Sequence, residues 1–195
     1  QGPLKAKLQE AGALDRMEAA RGASHQKLSC RLGWMTRIHP IMTSDRRLML
    51  GLYSDVYSCA LATFTVDWGE TWVCGEPIID TNGVNIGNIQ PSFVMKKNGD
   101  IVAFMRDASP VHDRISTSIS KDRGTTWSPL SWLDIPNPGS SVECVPLASG
   151  NWVLVCNDRL EGRGRHRLTA YLSPDEGATW PWSRALEDYP EGAGN

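Results

Sequence analysis

One eight-residue pattern occurs three times in this chain and constrains its fold more than any other feature. "TVDWGETW" runs from Thr65 to Trp72, "SKDRGTTW" from Ser120 to Trp127 and "SPDEGATW" from Ser173 to Trp180. Each reads Ser/Thr, any, Asp, any, Gly, any, Thr, Trp. The aspartates Asp67, Asp122 and Asp175 lie 55 and 53 residues apart. Self-similarity at a nearly fixed period marks a repeat architecture, in which one supersecondary unit stacks on the next because no unit buries its faces alone.

The residues between the repeats identify the unit. From about residue 31, short apolar or alternating runs such as "RLMLGLYS", "CALATFTV", "DIVAFMR", "RISTSIS", "NWVLVCND" and "HRLTAYLS" are separated by Gly, Asn, Asp and Pro clusters. Each run has strand length and each break is a turn signal. The expectation is an all-β chain of antiparallel meanders, about four strands per repeat, with no helix after residue 31. The repeated motif is then a hairpin turn. The strand before it ends at the Ser/Thr, and the strand after it begins at the Thr-Trp. Glycine allows positive φ, aspartate accepts backbone N–H bonds within the turn, and tryptophan folds back over the hairpin. On this reading Asp67, Asp122 and Asp175 are staples, not catalysts.

Residues 4–21, "LKAKLQEAGALDRMEAAR", have helix-like apolar spacing. Residues 1–30 are therefore expected to form a helical extension outside the repeat. The net charge of −2 gives no reason to expect nucleic acid or an anionic membrane as partner. No apolar run approaches the roughly 18 residues of a membrane span. Residues 1–30 lack the basic start and apolar core of a signal peptide, and the compartment stays open. The five cysteines include no CxxC pair and read as small buried hydrophobes. His25, His39, His112 and His166 have no metal-ligand spacing, so neither metal nor cofactor is expected.

The three motifs resemble the Asp-box, or BNR, repeat of the sialidase superfamily. "GWMTRIHP", "GNIQPSFVMKKNGDIVAFMRD" and "IPNPGSSVECVPLASGNWVLVCND" look like the bacterial-type sialidase-like proteins of that group. The resemblance covers residues 31–195. It implies blades of a β-propeller, usually six. Three blades do not close, so the chain is expected to be part of a longer propeller whose remaining blades come from the missing part of the chain. It also implies a glycan substrate with a terminal acidic sugar. The stretch Arg37 to Pro40 resembles the Arg-Ile-Pro motif that opens sialidase domains, with His39 as one inserted residue.

Candidate residues follow from propeller geometry, where ligands meet the inner strands. Arg37 matches an arginine that grips the substrate carboxylate in sialidases, a task suited to a guanidinium fork; the other reading is a surface arginine. Arg106 and Asp107 end an apolar run and belong either to a site or to a buried ion pair. Gln90 precedes Pro91 at a strand entry, where its amide can hydrogen-bond sugar hydroxyls. Asp55 lies where sialidases place their acid/base aspartate, and reads equally as a turn aspartate. Glu143 is an axial carboxylate or an edge-strand residue. Asp158 ends its strand as Asp107 does. Arg163, Arg165, His166 and Arg167 form a basic loop, either solvated or in contact with an acidic sugar. The resemblance further implies a tyrosine nucleophile, and none of Tyr53, Tyr57, Tyr171 and Tyr189 sits in a matching context. Three functions remain open: a sialidase-like glycosidase, a non-catalytic carbohydrate- or protein-binding propeller, and a lyase acting on uronic-acid polysaccharide.

Overall fold

The computed structural model describes residues 33–55, 57–80, 87–108, 112–161 and 165–190. The expected helix over residues 4–21 lies outside them. The described residues contain thirteen strands and no α-helix. The first sheet holds β1 (Met35–Thr36), β2 (Ile41–Met42), β3 (Leu48–Ser54), β4 (Cys59–Thr65) and β5 (Val73–Ile78). The second holds β6 (Asn88–Met95), β7 (Ile101–Asp107), β8 (Arg114–Ser120) and β9 (Ser131–Pro136). The third holds β10 (Val142–Pro146), β11 (Trp152–Asn157), β12 (Arg167–Ser173) and β13 (Trp182–Asp188). All pairings are antiparallel and, apart from β1 with β3, join chain neighbours. In the first sheet β1 and β2 both pair with β3, so together they form one interrupted edge strand.

The three motifs are hairpin turns with one shared network. β4, β8 and β12 end at Thr65, Ser120 and Ser173. Each of those hydroxyls donates to its aspartate, at 2.6, 2.8 and 2.8 Å, and accepts the glycine N–H, at 2.9, 2.7 and 2.8 Å. Each aspartate also accepts the amide and hydroxyl of the threonine four residues on, as Thr126 does to Asp122 at 2.8 and 2.5 Å. The glycines have φ of 99°, 88° and 83°, and the residue before each is also left-handed. Two successive positive-φ residues let the chain reverse along the twist of the flanking strands.

The strands after the turns start later than the sequence predicts. β5 begins directly after Trp72, but β9 begins at Ser131 and β13 at Trp182. Pro129 and Pro181 explain the delay, because proline has no N–H to give to the ladder. The tryptophans also differ. Trp127 stacks on Phe93 at 5.3 Å between ring centres, and Trp180 stands edge-on to Phe104 at 6.0 Å. Trp72 is 45% exposed, and its indole donates to Gly69 O at 3.1 Å.

Two apolar layers hold the sheets together. Met49, Ala62, Phe64 and Ile78 of the first sheet pack against Phe93, Ile101, Ala103 and Met105 of the second. Val94, Val102 and Phe104 of the second pack against Val142, Cys144, Trp152 and Leu154 of the third. The alternate residues of β7 thus serve both layers, and for that reason its first five residues are all buried. The second and third turns also reach back to the preceding sheet. Arg123 meets Asp45 of the β2–β3 turn at 2.8 Å, and the Glu176 carboxylate accepts Lys97 N–H of the β6–β7 turn at 2.8 Å. Cys59, Cys144 and Cys156 are buried free thiols, whereas Cys74 is exposed, against the reading of the cysteines as buried.

Candidate functional site

β6 and β10, the first strands and edges of the second and third sheets, lie side by side, and β3, next to the interrupted edge strand of the first sheet, lies on the other side of β6. β6 stands between the other two. On one side β3 approaches so closely that a Cβ on Gly51 would lie 2.7 Å from Pro91 O, so only glycine fits there. On the other side the Ser92 hydroxyl accepts Cys144 N–H of β10 at 3.0 Å.

β6 carries an irregularity at this place. Its pairing with β7 slips between Ile89 and Ser92, and Gln90 takes φ 58°. A β-bulge re-aims a side chain, and here it directs Gln90 inward. The residue is 3% exposed. Its Oε1 accepts from Ser141 Oγ at 2.8 Å and from Arg106 Nη1 at 3.4 Å. The sequence reading named Gln90 but gave no sign of its left-handed backbone, which is rare for a residue of this shape.

Arg106, near the end of β7, is the centre of charge. Burial pushes its guanidinium below the usual arginine value; the like charges of Arg165 and Arg37 add to this, and Asp55 and Tyr53 work against it. Those four neighbours come from the β11–β12 link, the interrupted edge strand and the β3–β4 hairpin. Among the described residues no acceptor bonds to the buried Arg106 Nε. A half-buried arginine with an unused donor and two like charges in electrostatic reach makes a place where an anion is favoured.

A second group joins the interrupted edge strand, β6 and β10. His39, in the gap between β1 and β2, places Nδ1 2.7 Å from Glu143 Oε1 on β10. The Ser92 hydroxyl is 3.3 Å from the same Oε1. Burial raises the Glu143 carboxyl above the ordinary range; His39 and Ser92 draw it back. The first and third sheets therefore touch across the second. The sequence reading placed Glu143 as a candidate and left His39 unassigned, although His39 is the inserted residue of the Arg37–Pro40 stretch.

Of the remaining candidates, Asp55 is within electrostatic reach of Arg106. Asp55 is exposed in the turn after β3. Asp107 is 3% exposed at the end of β7, opposite Asn88. Asp158 belongs to a network within the third sheet: Tyr171 donates to its Oδ2 at 2.7 Å, and Arg167 Nε lies 3.4 Å from Oδ1. Burial and that bond push the Tyr171 hydroxyl well above its usual value, which makes it a poor nucleophile. No group of three or more metal-ligating side chains comes together among the described residues. A pocket of about 290 Å³ lined by Met42, Arg46, Leu48, Thr65, Val66 and Trp68 is at the opposite end of the first sheet from these groups.

The pattern that defines the family described as "BNR repeat-like domain" matches residues 25–193. A sialidase of Micromonospora viridifaciens is 25% identical over 136 residues, which is 66% of this chain and 20% of that protein. A protein of unknown function from Dyadobacter fermentans has a similar fold, with TM-score 0.66 and 18% identity over 80% of this chain and 43% of that one. So does the NanB sialidase of Streptococcus pneumoniae, with TM-score 0.59 and 22% identity over 76% of this chain and 23% of that one. The chain thus spans about a fifth of the curated relative and less than half of either structural one.

Proposed function

The chain belongs to the family of BNR repeat-like domains, and from that premise we propose that it is part of a sialidase-like glycoside hydrolase that removes a terminal acidic sugar from a glycan. The observation that carries this reading is Arg106, half-buried beside Arg37 and Arg165 with an unbonded Nε. In this reading Arg106 and Arg37 take the sugar carboxylate. Gln90 fixes Arg106 and meets a sugar hydroxyl. Asp55, exposed and within electrostatic reach of Arg106, is the acid that protonates the leaving group. Asp107 ends β7 and Asp158 directly follows β11.

The three sheets are, in the same reading, blades of a β-propeller completed by further sheets outside these 195 residues. Two facts support this. The curated relative is five times as long as the matched part. In addition, the second and third turns each dock on a preceding sheet, whereas Trp68 of the first turn is 82% exposed.

The test is hydrolysis of a fluorogenic α-sialoside by the full-length parent protein, with Arg106→Ala and Arg37→Ala beside it. Release by the parent that falls about 10–100-fold in each variant is expected, since a hydrogen bond to a charged group is worth roughly 1.5–3 kcal/mol. No release by the parent sinks the sialidase reading. Binding without cleavage on a glycan array would then favour a carbohydrate-binding propeller. An unsaturated product from a uronate polysaccharide would favour a lyase, which needs the same arginines.

A further inference from the structure

We propose that Glu143 is a substrate-binding residue that decides which acidic sugar fits. Its free Oε2 accepts one hydroxyl of the sugar, while His39 and Ser92 hold the carboxylate in place. The inference rests on the reading that Arg106 takes the sugar carboxylate. It goes beyond that reading, because it adds a second point of recognition on a different sheet, and it holds whether or not the sugar is then cleaved.

Two side-chain pairs cross the seam between β6 and β10. In the first, Ser141, directly before β10, donates to Gln90 Oε1 at 2.8 Å, and the same oxygen faces Arg106 Nη1 at 3.4 Å. In the second, the Ser92 hydroxyl lies 3.3 Å from Glu143 Oε1. Successive side chains of a strand alternate between its faces, so Ser141 and Glu143 point the same way, opposite the buried Val142 and Cys144. The two pairs are one two-residue step of β10 apart, about 7 Å. One end of that step leads to a guanidinium with an unused Nε, the other to a carboxylate. A single sugar ring bridges such a gap, with its own carboxylate on the cation and a hydroxyl on the anion.

The geometry singles out Glu143 among the carboxylates. Asp158 is bound by Tyr171 and Arg167 inside its own sheet. The turn aspartates are held by their own threonines. Asp107 is almost fully buried. Asp55 is exposed in a turn, and no hydrogen bond among the described residues fixes its carboxylate. Glu143 is 38% exposed in its side chain, and His39 Nδ1 reaches its Oε1 at 2.7 Å from the first sheet. Ser92 approaches the same oxygen from the second. Among the described residues no hydrogen bond or ion pair takes Oε2. An exposed glutamate ordinarily keeps much rotamer freedom. With one oxygen anchored from two sheets, the other is a fixed acceptor open to solvent, and little ordering remains when a hydroxyl arrives. An ionised carboxylate accepts and does not donate. It therefore favours a hydroxyl and repels a second carboxylate or a sulfate at that position, which selects a sugar with one acid group over a polyanionic one.

The experiment uses the full-length parent and methyl α-thiosialoside, whose sulfur linkage resists hydrolysis, together with analogues that each lack one of its hydroxyls. Titration calorimetry gives Kd for the parent and for Glu143→Ala, Glu143→Gln, His39→Ala and Arg106→Ala. One analogue is expected to bind the parent about 10–100-fold more weakly than the complete sugar, as the loss of a hydrogen bond to a charged group implies. Glu143→Ala should bind the complete sugar as weakly as the parent binds that analogue, and should no longer tell the two apart. Glu143→Gln keeps an acceptor in the same shape and should retain part of the discrimination. His39→Ala should lose part of it, and Arg106→Ala should weaken every ligand alike. A parent that binds all the analogues equally overturns the proposal, as does a Glu143→Ala variant that still discriminates. Full discrimination in His39→Ala overturns the positioning role. A parent that binds none of these ligands overturns the proposal together with the carboxylate reading of Arg106. A parent that binds them but leaves the fluorogenic α-sialoside intact overturns the hydrolase reading alone.

Discussion

The side-chain carbonyl of Gln90 faces Nη1 of Arg106 across the bulge in β6, so the most buried arginine of the candidate site takes its direction from a residue whose own backbone is left-handed. This relationship gives the first prediction. Arg106→Lys keeps the charge but loses the planar fork. It should raise KM for an acidic sugar about 10-fold and leave kcat nearly unchanged, as steady-state kinetics on the parent will read. Gln90→Gly relieves the backbone but removes the acceptor, and should raise KM in the same sense.

Asp122 links stability to pH. Burial pushes its carboxyl upward, but the Thr126 hydroxyl and amide and the Ser120 hydroxyl outweigh this and hold it below the ordinary value. A depressed folded value contributes stability that is fully present above the unfolded pKa, near 3.9, and is lost as pH falls through the folded one. Asp122→Asn should therefore cost about 1 kcal/mol near pH 7, allowing for solvent exposure, or roughly 2–4 °C in Tm. The difference from the parent should shrink in melts taken progressively below about pH 4.

Gly51 tests the close approach of β3 to β6. Gly51→Ala puts a carbon 2.7 Å from Pro91 O, and backbone yields little. A cost of about 1–3 kcal/mol is expected, read as a lower denaturant midpoint with an unchanged slope. Because Pro91 adjoins Gln90, the same variant should also weaken substrate binding.

The tryptophans test the propeller. Trp127→Ala removes a ring stacked on Phe93 and should cost about 2–4 kcal/mol, somewhat under the loss for a fully buried aromatic. If a further sheet covers the first turn in the parent protein, Trp72→Ala should lower its Tm by a similar amount. A melt unaffected by Trp72→Ala would show that the first turn faces solvent, contrary to the proposed propeller.

The sequence made the turns legible because all their chemistry lies within eight residues, where hydroxyl, carboxylate and glycine spacing fix the geometry directly. The strand count was legible for the same reason: alternation and turn residues are local. Trp72 folds back over its own turn as read, but its 45% exposure was not legible, since burial depends on what covers the first sheet and not on the hairpin. At the site, Arg37, Arg106, Gln90 and Glu143 stood out by position at strand ends. The meeting of His39 with Glu143 did not, because it depends on how three sheets stack. Nor did the role of Arg165, a residue of a basic loop that reads as solvated until the β11–β12 link is placed beside Arg106.

The fourth position of each turn holds a different kind of side chain: tryptophan at 68, arginine at 123, glutamate at 176. Arg123 meets a carboxylate in the sheet before it, and Glu176 meets a backbone amide. Near-identical repeats would otherwise be interchangeable, and a folding chain could seat one against the wrong neighbour. This variable residue works as an address label within an otherwise uniform motif. Exchanging the labels at 123 and 176 would leave every turn intact and every strand in register. It would put a carboxylate against Asp45 and take one from Lys97 N–H, so that correct neighbours would no longer be distinguished from incorrect ones.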